Sequence, residues 1–292
     1  MCLNRLLLVW LTCLSPAFAL ANSSTAGYSN EGLKLLKTEN IRMAKEDLFL
    51  STREIRVRYT FENLTQEPIQ TLVAFPFPKM DAITEWDVSK ASHFKLKIGG
   101  KSQKTRRETV YTLEGKEYRD KAQAEKLLAA ERKKREAAEE EGAPFEAFVQ
   151  DFELWEQRFP AGQSVDVEIS YRPSVGADLG WNQESYQSAQ AQKTYCIDAS
   201  TAKGLDKALA ALGNADAAPS GPYLQWLSYV LVTGNNWAGP IGQFHLTIEK
   251  PAPNAILSLC MDGLKKTSAT RFETTRENFR PERDLSLIFF HR

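Results

Sequence analysis

The alternation of apolar and polar positions is clearest in the stretch from Leu48 to Phe61. Ile55, Val57, Tyr59 and Phe61 alternate there with Arg56, Arg58, Thr60 and Glu62. A period of two with one wet face is the mark of a half-buried strand. Turn chemistry follows at Asn63-Leu64-Thr65-Gln66-Glu67-Pro68, then a second strand over Ile69 to Phe75. The short connection predicts a hairpin between the two, closed off by Pro76 and Pro78, which cannot donate to a ladder. Phe94, Leu96 and Ile98 alternate up to Gly99-Gly100, a hairpin signal leading towards a strand at Thr109 to Leu113. Phe148, Phe152, Leu154 and Phe159 mark another strand. After Pro160-Ala161-Gly162 the next alternates through Val165, Val167, Ile169 and Tyr171. Strand patterns return at Leu224 to Thr233, Phe244 to Glu249, Ala255 to Met261 and Leu285 to Phe290.

Two segments read as helix. Glu117 to Glu141 is built almost entirely from strong helix formers, with opposite charges four apart, as in Glu131 with Arg135. Tyr118, Ala122, Leu127 and Leu128 offer a narrow apolar stripe, and Gly142 and Pro144 end the run. The pattern predicts a solvated helix inserted between two strands, with a partner-binding arm as the alternative. Thr201 to Leu212 carries Leu205, Ala208, Leu209 and Leu212 at three-four spacing, with Thr201 as its cap. Pro173 to Gln192 is polar and irregular and reads as a linker. The fold class is therefore mainly β. Two β-sandwich-like halves are expected, residues 22–173 and 174–292, with the long charged helix inserted in the first at 117–141 and a short helix in the second.

The N-terminus has a different layout. A head with one positive charge (Met1 to Arg5) precedes an apolar run (Leu6 to Leu14), a Ser15-Pro16 break and Ala17-Phe18-Ala19-Leu20-Ala21. That is a secretory signal peptide over residues 1–21, with cleavage expected after Ala19 or Ala21 and a periplasmic or secreted product. The apolar run is far short of the roughly twenty residues that span a bilayer, and no later run is long enough, so no transmembrane span is expected in the mature chain. Cleavage removes Cys2 and Cys13. Cys196 and Cys260 then remain in a chain bound for an oxidising compartment, as one disulfide or as two separate buried thiols.

Composition narrows the function classes. With 42% apolar and 25% charged residues the chain has material for a core, which excludes a disordered protein. Lys plus Arg equals Asp plus Glu at 37 each, so no sequence-wide basic field exists for nucleic acid. His93, His245 and His291 each stand alone, with no ligand spacing for a metal. No nucleophile elbow, Cys-x-x-Cys, His-Glu-x-x-His or phosphate-loop motif is present, so no catalytic residue, metal or cofactor is assigned. Carboxylates are plentiful, and a glycosidase pair stays open because separation decides it.

The aromatic residues carry the binding candidates. Trp226 and Tyr229 fall in a strand and read as core. Trp237 stands behind Asn235 and Asn236 in Thr233-Gly234-Asn235-Asn236-Trp237-Ala238-Gly239-Pro240. Gly, Asn and Pro shape a loop around one large ring. The ring is either an aromatic contact for a protein or glycan, or a plug that seats the loop in the sandwich. Trp86 and Trp181 lie in other irregular stretches and carry the same two readings. The expected function is an exported envelope protein acting as a non-catalytic protein-interaction module. A carbohydrate-binding module of the cell envelope is the alternative, and a hydrolase comes third.

Two resemblances bear on this. EIRVRYTFENLTQEPIQTLVAFPFP, the charged helix over Lys121 to Glu141 and FPAGQSVDVEISY at Phe159 to Tyr171 resemble a VIT (vault and inter-alpha-trypsin) domain over about Ile41 to Pro173. That likeness implies a β-sandwich with a helical excursion. From near Gly32 to the C-terminus the chain is more closely similar to DUF4424, a secreted bacterial family of unknown function. The likeness is carried by GLKLLKTENIRMAKEDLFLS, VAFPFP, YCID, YVLVTGNNWAGPIGQFHLTIEKPAPNAILSLC and FRPERDL. It implies export to the bacterial envelope and pairing of Cys196 with Cys260, and supplies no activity.

Overall fold

The structure, a computed structural model, describes residues 22–29, 32–83, 90–136, 145–178, 182–210 and 223–291. The expected signal peptide, Trp86, Trp181 and the last part of the charged helix lie outside these residues.

The chain begins with β1 (Ser24–Ser29), β2 (Gly32–Leu36), β3 (Ile41–Leu50), β4 (Ile55–Asn63), β5 (Ile69–Pro76) and β6 (Met80–Asp81). It continues through β7 (Ser92–Ile98), β8 (Lys101–Gln103), β9 (Arg106–Leu113), β10 (Lys116–Tyr118), α1 (Lys121–Glu136), β11 (Ala147–Phe159), β12 (Ser164–Arg172) and β13 (Gly176–Asp178). Three helices follow, α2 (Gln183–Gln187), α3 (Ala189–Tyr195) and α4 (Ala199–Ala210). Then come β14 (Tyr223–Tyr229), a 3-10 turn (Val232–Asn236), β15 (Ile241–Glu249), β16 (Ile256–Leu259), β17 (Lys265–Lys266), β18 (Arg271–Phe279) and β19 (Leu285–His291).

Among the described residues the strands form three sheets. The first runs β10-β9-β11-β5-β1-β2, with β6 also on β11; the second β17-β18-β15-β3-β4-β12-β7-β8; the third β13-β14-β19-β16. One large core draws on all three, from Val73 and Phe75 through Val57, Phe61 and Phe244 to Leu227, Leu285 and Phe289. Strands from both sides of residues 173 and 174 share the second sheet, where β15 lies parallel to β3. Beside the two β-sandwich-like halves expected, the first sheet stays within the earlier part of the chain and the third within the later part, while both parts build the second sheet together.

The expected hairpin also resolves differently. β4 pairs with β3 and β12 in the second sheet, whereas β5 pairs with β1 and β11 in the first. Alternation tells a strand which face is buried; it says nothing of the neighbour. The Asn63 turn carries the chain from one layer to the next, beside the Pro160-Ala161-Gly162 turn that does the same between β11 and β12. Asn63 Nδ2 donates to Phe159 O (3.0 Å) and Gly162 N to Thr65 O (2.9 Å), lacing the two corners together. Gly99 and Gly100, at φ of 54° and 77°, do make a tight hairpin, but its second strand is β8. Positive φ at consecutive positions is what glycine supplies without a Cβ clash.

β3 hides its pattern because Glu46 occupies a fully buried position and the register shifts between Met43 and Lys45. The expected linker holds β13, α2 and α3. Asn182 and Ser185 cap α2 reciprocally, and Ser188 caps α3 through Ala191 N. Asp198 rather than Thr201 begins α4, accepting from Thr201 N at 2.6 Å. The charged helix starts at Lys121, because Lys116–Tyr118 pair with β9. Its stripe is Ala124 and Leu128, which pack on Tyr111, Leu113 and Val149, while Leu127 is 41% exposed. The disulfide Cys196–Cys260 is formed, tying the end of α3 to the segment after β16.

Candidate functional site

A cleft opens where the three sheets meet. Phe77 and Lys79 enter it from the segment after β5, Tyr171 from the end of β12, Trp226 from β14 and Asp151 from β11, with Lys90 at its mouth. Its volume is about 80 Å³. A single water needs on the order of 10–15 Å³ by this measure, so the space suits a small organic group.

Each wall has a local cause. The Phe-Pro segment is clamped to β11: Phe77 N donates to Asp151 O (2.9 Å) and Gln150 Nε2 donates to Phe77 O (2.8 Å). Arg107 lies over the Phe77 ring at 4.9 Å while its Nε donates to Glu153 Oε1 at 2.7 Å. Phe77 meets Tyr171 edge to face, with centroids 5.2 Å apart, a geometry the ring quadrupoles favour. Trp226 can lie across β13 because its partner there, Gly176, has no side chain. A Cβ at Gly176 would fall 2.0 Å from Trp226 Cε2.

Tyr171 is 4% exposed, and burial pushes its phenol well above the usual range. Among the described residues neither its hydroxyl nor the indole N–H of Trp226 has a hydrogen-bond partner. Lys79 and Lys90 are exposed, and among the described residues neither forms an ion pair. Asp151 is already engaged, accepting from Thr109 Oγ1 at 2.6 Å and lying 3.7 Å from Arg107. The cleft thus combines aromatic walls, two open donors and a cationic mouth. A wider cleft of about 750 Å³ lies beside the disulfide, where Arg276, Arg280 and Arg283 face Asp198, Asp262 and Glu282 in equal number.

The sequence-expected residues lie elsewhere. Trp237 is 3% exposed: its ring packs on Phe61 (4.4 Å between centroids) and its Nε1 donates to Ser23 O at 2.6 Å. It plugs the loop into the core, so its face is not offered to a glycan. Asn236 is buried and donates to Ser24 Oγ, and Asn235 donates to Pro281 O. His93 and His245 are kept apart in the second sheet by β3, β4 and β12. Among the described residues no group of three or more His, Cys, Asp or Glu side chains is placed to hold a metal. The cleft had one legible signal, the Phe-Pro-x-Pro stop after β5. The meeting of Tyr171 with Trp226 depends on tertiary topology.

Beneath Trp237 lies a buried polar ring. Asn22 Nδ2 donates to Glu46 Oε2 (3.0 Å), Tyr59 donates to Asn22 Oδ1 (2.5 Å), the Tyr59 and Tyr229 hydroxyls meet at 3.0 Å, and Tyr229 lies 3.4 Å from Glu46 Oε1. Burial raises the Glu46 carboxyl to about 8, against the hydrogen bonds from Asn22 and Tyr229 that favour its charged form.

The model of the DUF4424 family, a domain of unknown function, matches residues 21–153 and 120–288. The chain belongs to this family. No curated protein matches this DUF4424 chain. Among solved structures it is similar to lpg2210 of Legionella pneumophila, for which nutrient binding has been suggested: 16% identity, TM-score 0.46, covering 91% of this chain and 72% of that one. It is also similar to an M1 zinc metallopeptidase of Deinococcus radiodurans solved with a peptide substrate: 10% identity, TM-score 0.31, covering 87% of this chain and 43% of that one. The DUF4424 chain thus spans under half of the metallopeptidase's length. Among the described residues no helix is long and apolar enough to cross a membrane.

Proposed function

We propose that this DUF4424 protein is an exported, non-catalytic binding protein of the bacterial envelope, and that it takes a small ligand in the cleft between its three sheets. The observation that carries this is the aromatic-walled cleft itself, lined by Phe77, Tyr171 and Trp226, where among the described residues the Tyr171 hydroxyl and the Trp226 indole N–H have no protein hydrogen-bond partner. A ligand acceptor that meets one of these donors would gain about 0.5–1.5 kcal/mol net over its contact with water. The apolar leader and the disulfide support export. The ligand that fits is a planar or sugar ring lying on Trp226, with an acceptor for Tyr171 and a negative group towards Lys79 and Lys90. No step of catalysis is assigned, since Asp151 is held by Thr109 and Arg107.

The test is a panel of small aromatic carboxylates, sugar acids and neutral oligosaccharides, read by tryptophan emission and thermal shift. A ligand that stabilises the wild type and loses about tenfold or more in affinity with Tyr171→Phe or Trp226→Ala supports the reading. A panel without any shift, or a ligand indifferent to both variants, refutes it. A protein partner is the second reading, favoured by β2, an edge strand of the first sheet with Leu36 45% exposed. There Leu36→Lys would abolish co-purification and leave the cleft untouched.

A further inference from the structure

Asn22, Ser23 and Ser24 have no exposed surface. The 3-10 turn and Trp237 grip all three: Thr233 Oγ1 donates to Asn22 O, Trp237 Nε1 to Ser23 O and Asn236 Nδ2 to Ser24 Oγ. The Thr233 to Trp237 block is thus a receptor for the segment directly after the expected leader. Asn22 is also the amide that closes the ring on Glu46.

That ring raises a question of charge. Glu46 is fully buried, its contacts are an amide and a phenol, and among the described residues no Lys, Arg or His pairs with it. With a protonated carboxyl the hydrogens run one way round, from Glu46 to Tyr229, to Tyr59, to Asn22 and back to Glu46. An ionised carboxylate leaves one contact without a hydrogen and a buried charge without compensation. Beside it the Ser23 hydroxyl oxygen is buried and has no hydrogen-bond partner.

We propose that maturation cuts after Ala21, and that the new α-ammonium group of Asn22 becomes the buried counter-ion of Glu46. Ala19 and Ala21 stand at the minus-three and minus-one positions of that cut. An export peptidase hydrolyses the Ala21–Asn22 bond with one water, whose hydroxyl goes to the Ala21 carbonyl carbon and whose hydrogen goes to the Asn22 nitrogen. That nitrogen takes a further proton and turns cationic, on the residue whose side chain already touches Glu46. The ammonium supplies several donors, one for Glu46 and one for the open Ser23 oxygen. A cut after Ala19 would keep an uncharged amide at Asn22. The inference rests on the export reading, and the cut locks the N-terminal strand into the fold.

Four chains test it, each released from a cleavable fusion with the disulfide formed: first residue Asn22 or Leu20, each with Glu46 or Glu46→Gln. The expected result is a higher Tm for the Asn22 chain, lowered by roughly 5 °C or more on Glu46→Gln, an effect of a few kcal-scale contacts at this size. In the Leu20 chain the same change raises Tm, because Gln matches the neutral ring. An equal effect in both backgrounds overturns the ion pair. A variant that fails to fold is bypassed by amine labelling: the Asn22 amine should react far more slowly than the lysines until the protein is denatured, and equal reactivity overturns the burial. Intact mass of the exported protein settles the cut. A first residue of Leu20 overturns this inference alone, whereas a chain that keeps residues 1–21 overturns the export reading with it.

Discussion

Gly176→Ala is the most direct probe of the cleft. Gly176 in β13 faces Trp226 in β14, and a methyl at Gly176 would meet Cε2, Cζ2 and Nε1 of the indole at 2.0, 2.2 and 2.4 Å. Carbon atoms prefer about 3.5–4.0 Å, so the ring must retreat by about 1.5 Å or more. Gly176 has no positive φ, so the conflict is purely steric. Trp226 is half-buried and has solvent to move into, which puts the cost in the ordinary overpacking range of about 1–3 kcal/mol. At 2–4 °C per kcal/mol that is a Tm lower by about 2–12 °C. The assay is a thermal melt of four proteins: wild type, Gly176→Ala, Trp226→Ala and the double variant. If the indole is the obstacle, Gly176→Ala costs nothing once Trp226 is truncated, and the cycle shows a coupling of about the full penalty. The reasoning is refuted if Gly176→Ala melts with the wild type, or if its penalty is the same in the Trp226→Ala background.

Four further outcomes follow from the same packing. Leu128→Ala should cost about 2–4 kcal/mol and Leu127→Ala under about 0.5, since the first is 3% and the second 41% exposed; equal denaturant midpoints would mean that α1 does not dock as described. Cys196→Ser with Cys260→Ser should cost about 4 kcal/mol, because the bridge closes a loop with a separation of 64 residues. Non-reducing melts should show the loss and reduced wild type should match it. Trp237→Ala should cost about 3–5 kcal/mol as a cavity and leave ligand affinity at the cleft unchanged, measured on the folded fraction. Asp284 accepts Leu231 N and Val232 N, yet burial raises its pKa from 3.8 to about 6. Its folded pKa exceeds the unfolded value, so stability is highest below the unfolded pKa. Up to about 3 kcal/mol is then lost as pH rises from about 4 to 6. Asp284→Asn keeps both bonds at Oδ1 and should flatten that slope in pH-dependent melts.

What the residues disclosed was facing rather than neighbourhood. Val57, Tyr59 and Phe61 announced β4, and Phe244, Leu246 and Ile248 announced β15, because an unbroken period of two survives any tertiary context. β3 was muted by Glu46, a carboxyl at a core position whose partners come from residue 22 and residue 229. The corner at Asn63 has the chemistry of a hairpin turn, and only the tertiary pairing of β4 and β5 in different sheets, with the bond to Phe159 O between the corners, shows that it changes layers. Trp237 stands at the end of the 3-10 turn, in a segment whose Gly, Asn and Pro leave two readings of its ring. Burial separates its two readings, and burial is set by Phe61 and Ser23, far away in sequence. Beyond the Phe-Pro-x-Pro stop the cleft has no signal among neighbours in the chain, since Phe77 follows β5, Tyr171 ends β12 and Trp226 lies on β14, elements of three different sheets.

The parallel pairing of β3 with β15 sets a timetable. His245 on β15 sits 3.0 Å from Asp47 on β3, although 198 residues separate them. A ribosome delivers the N-terminal strand first, so β3 exists long before the strand that covers its outer edge. β4 closes the other edge at once. During that wait the open edge is a template for strands of other chains. Closing so long a loop also demands entropy before any contact repays it, which makes folding slow. The chain therefore covers the β3 edge only after residue 249 has emerged and completes its core only with β19, and until then that edge is open to wrong pairing.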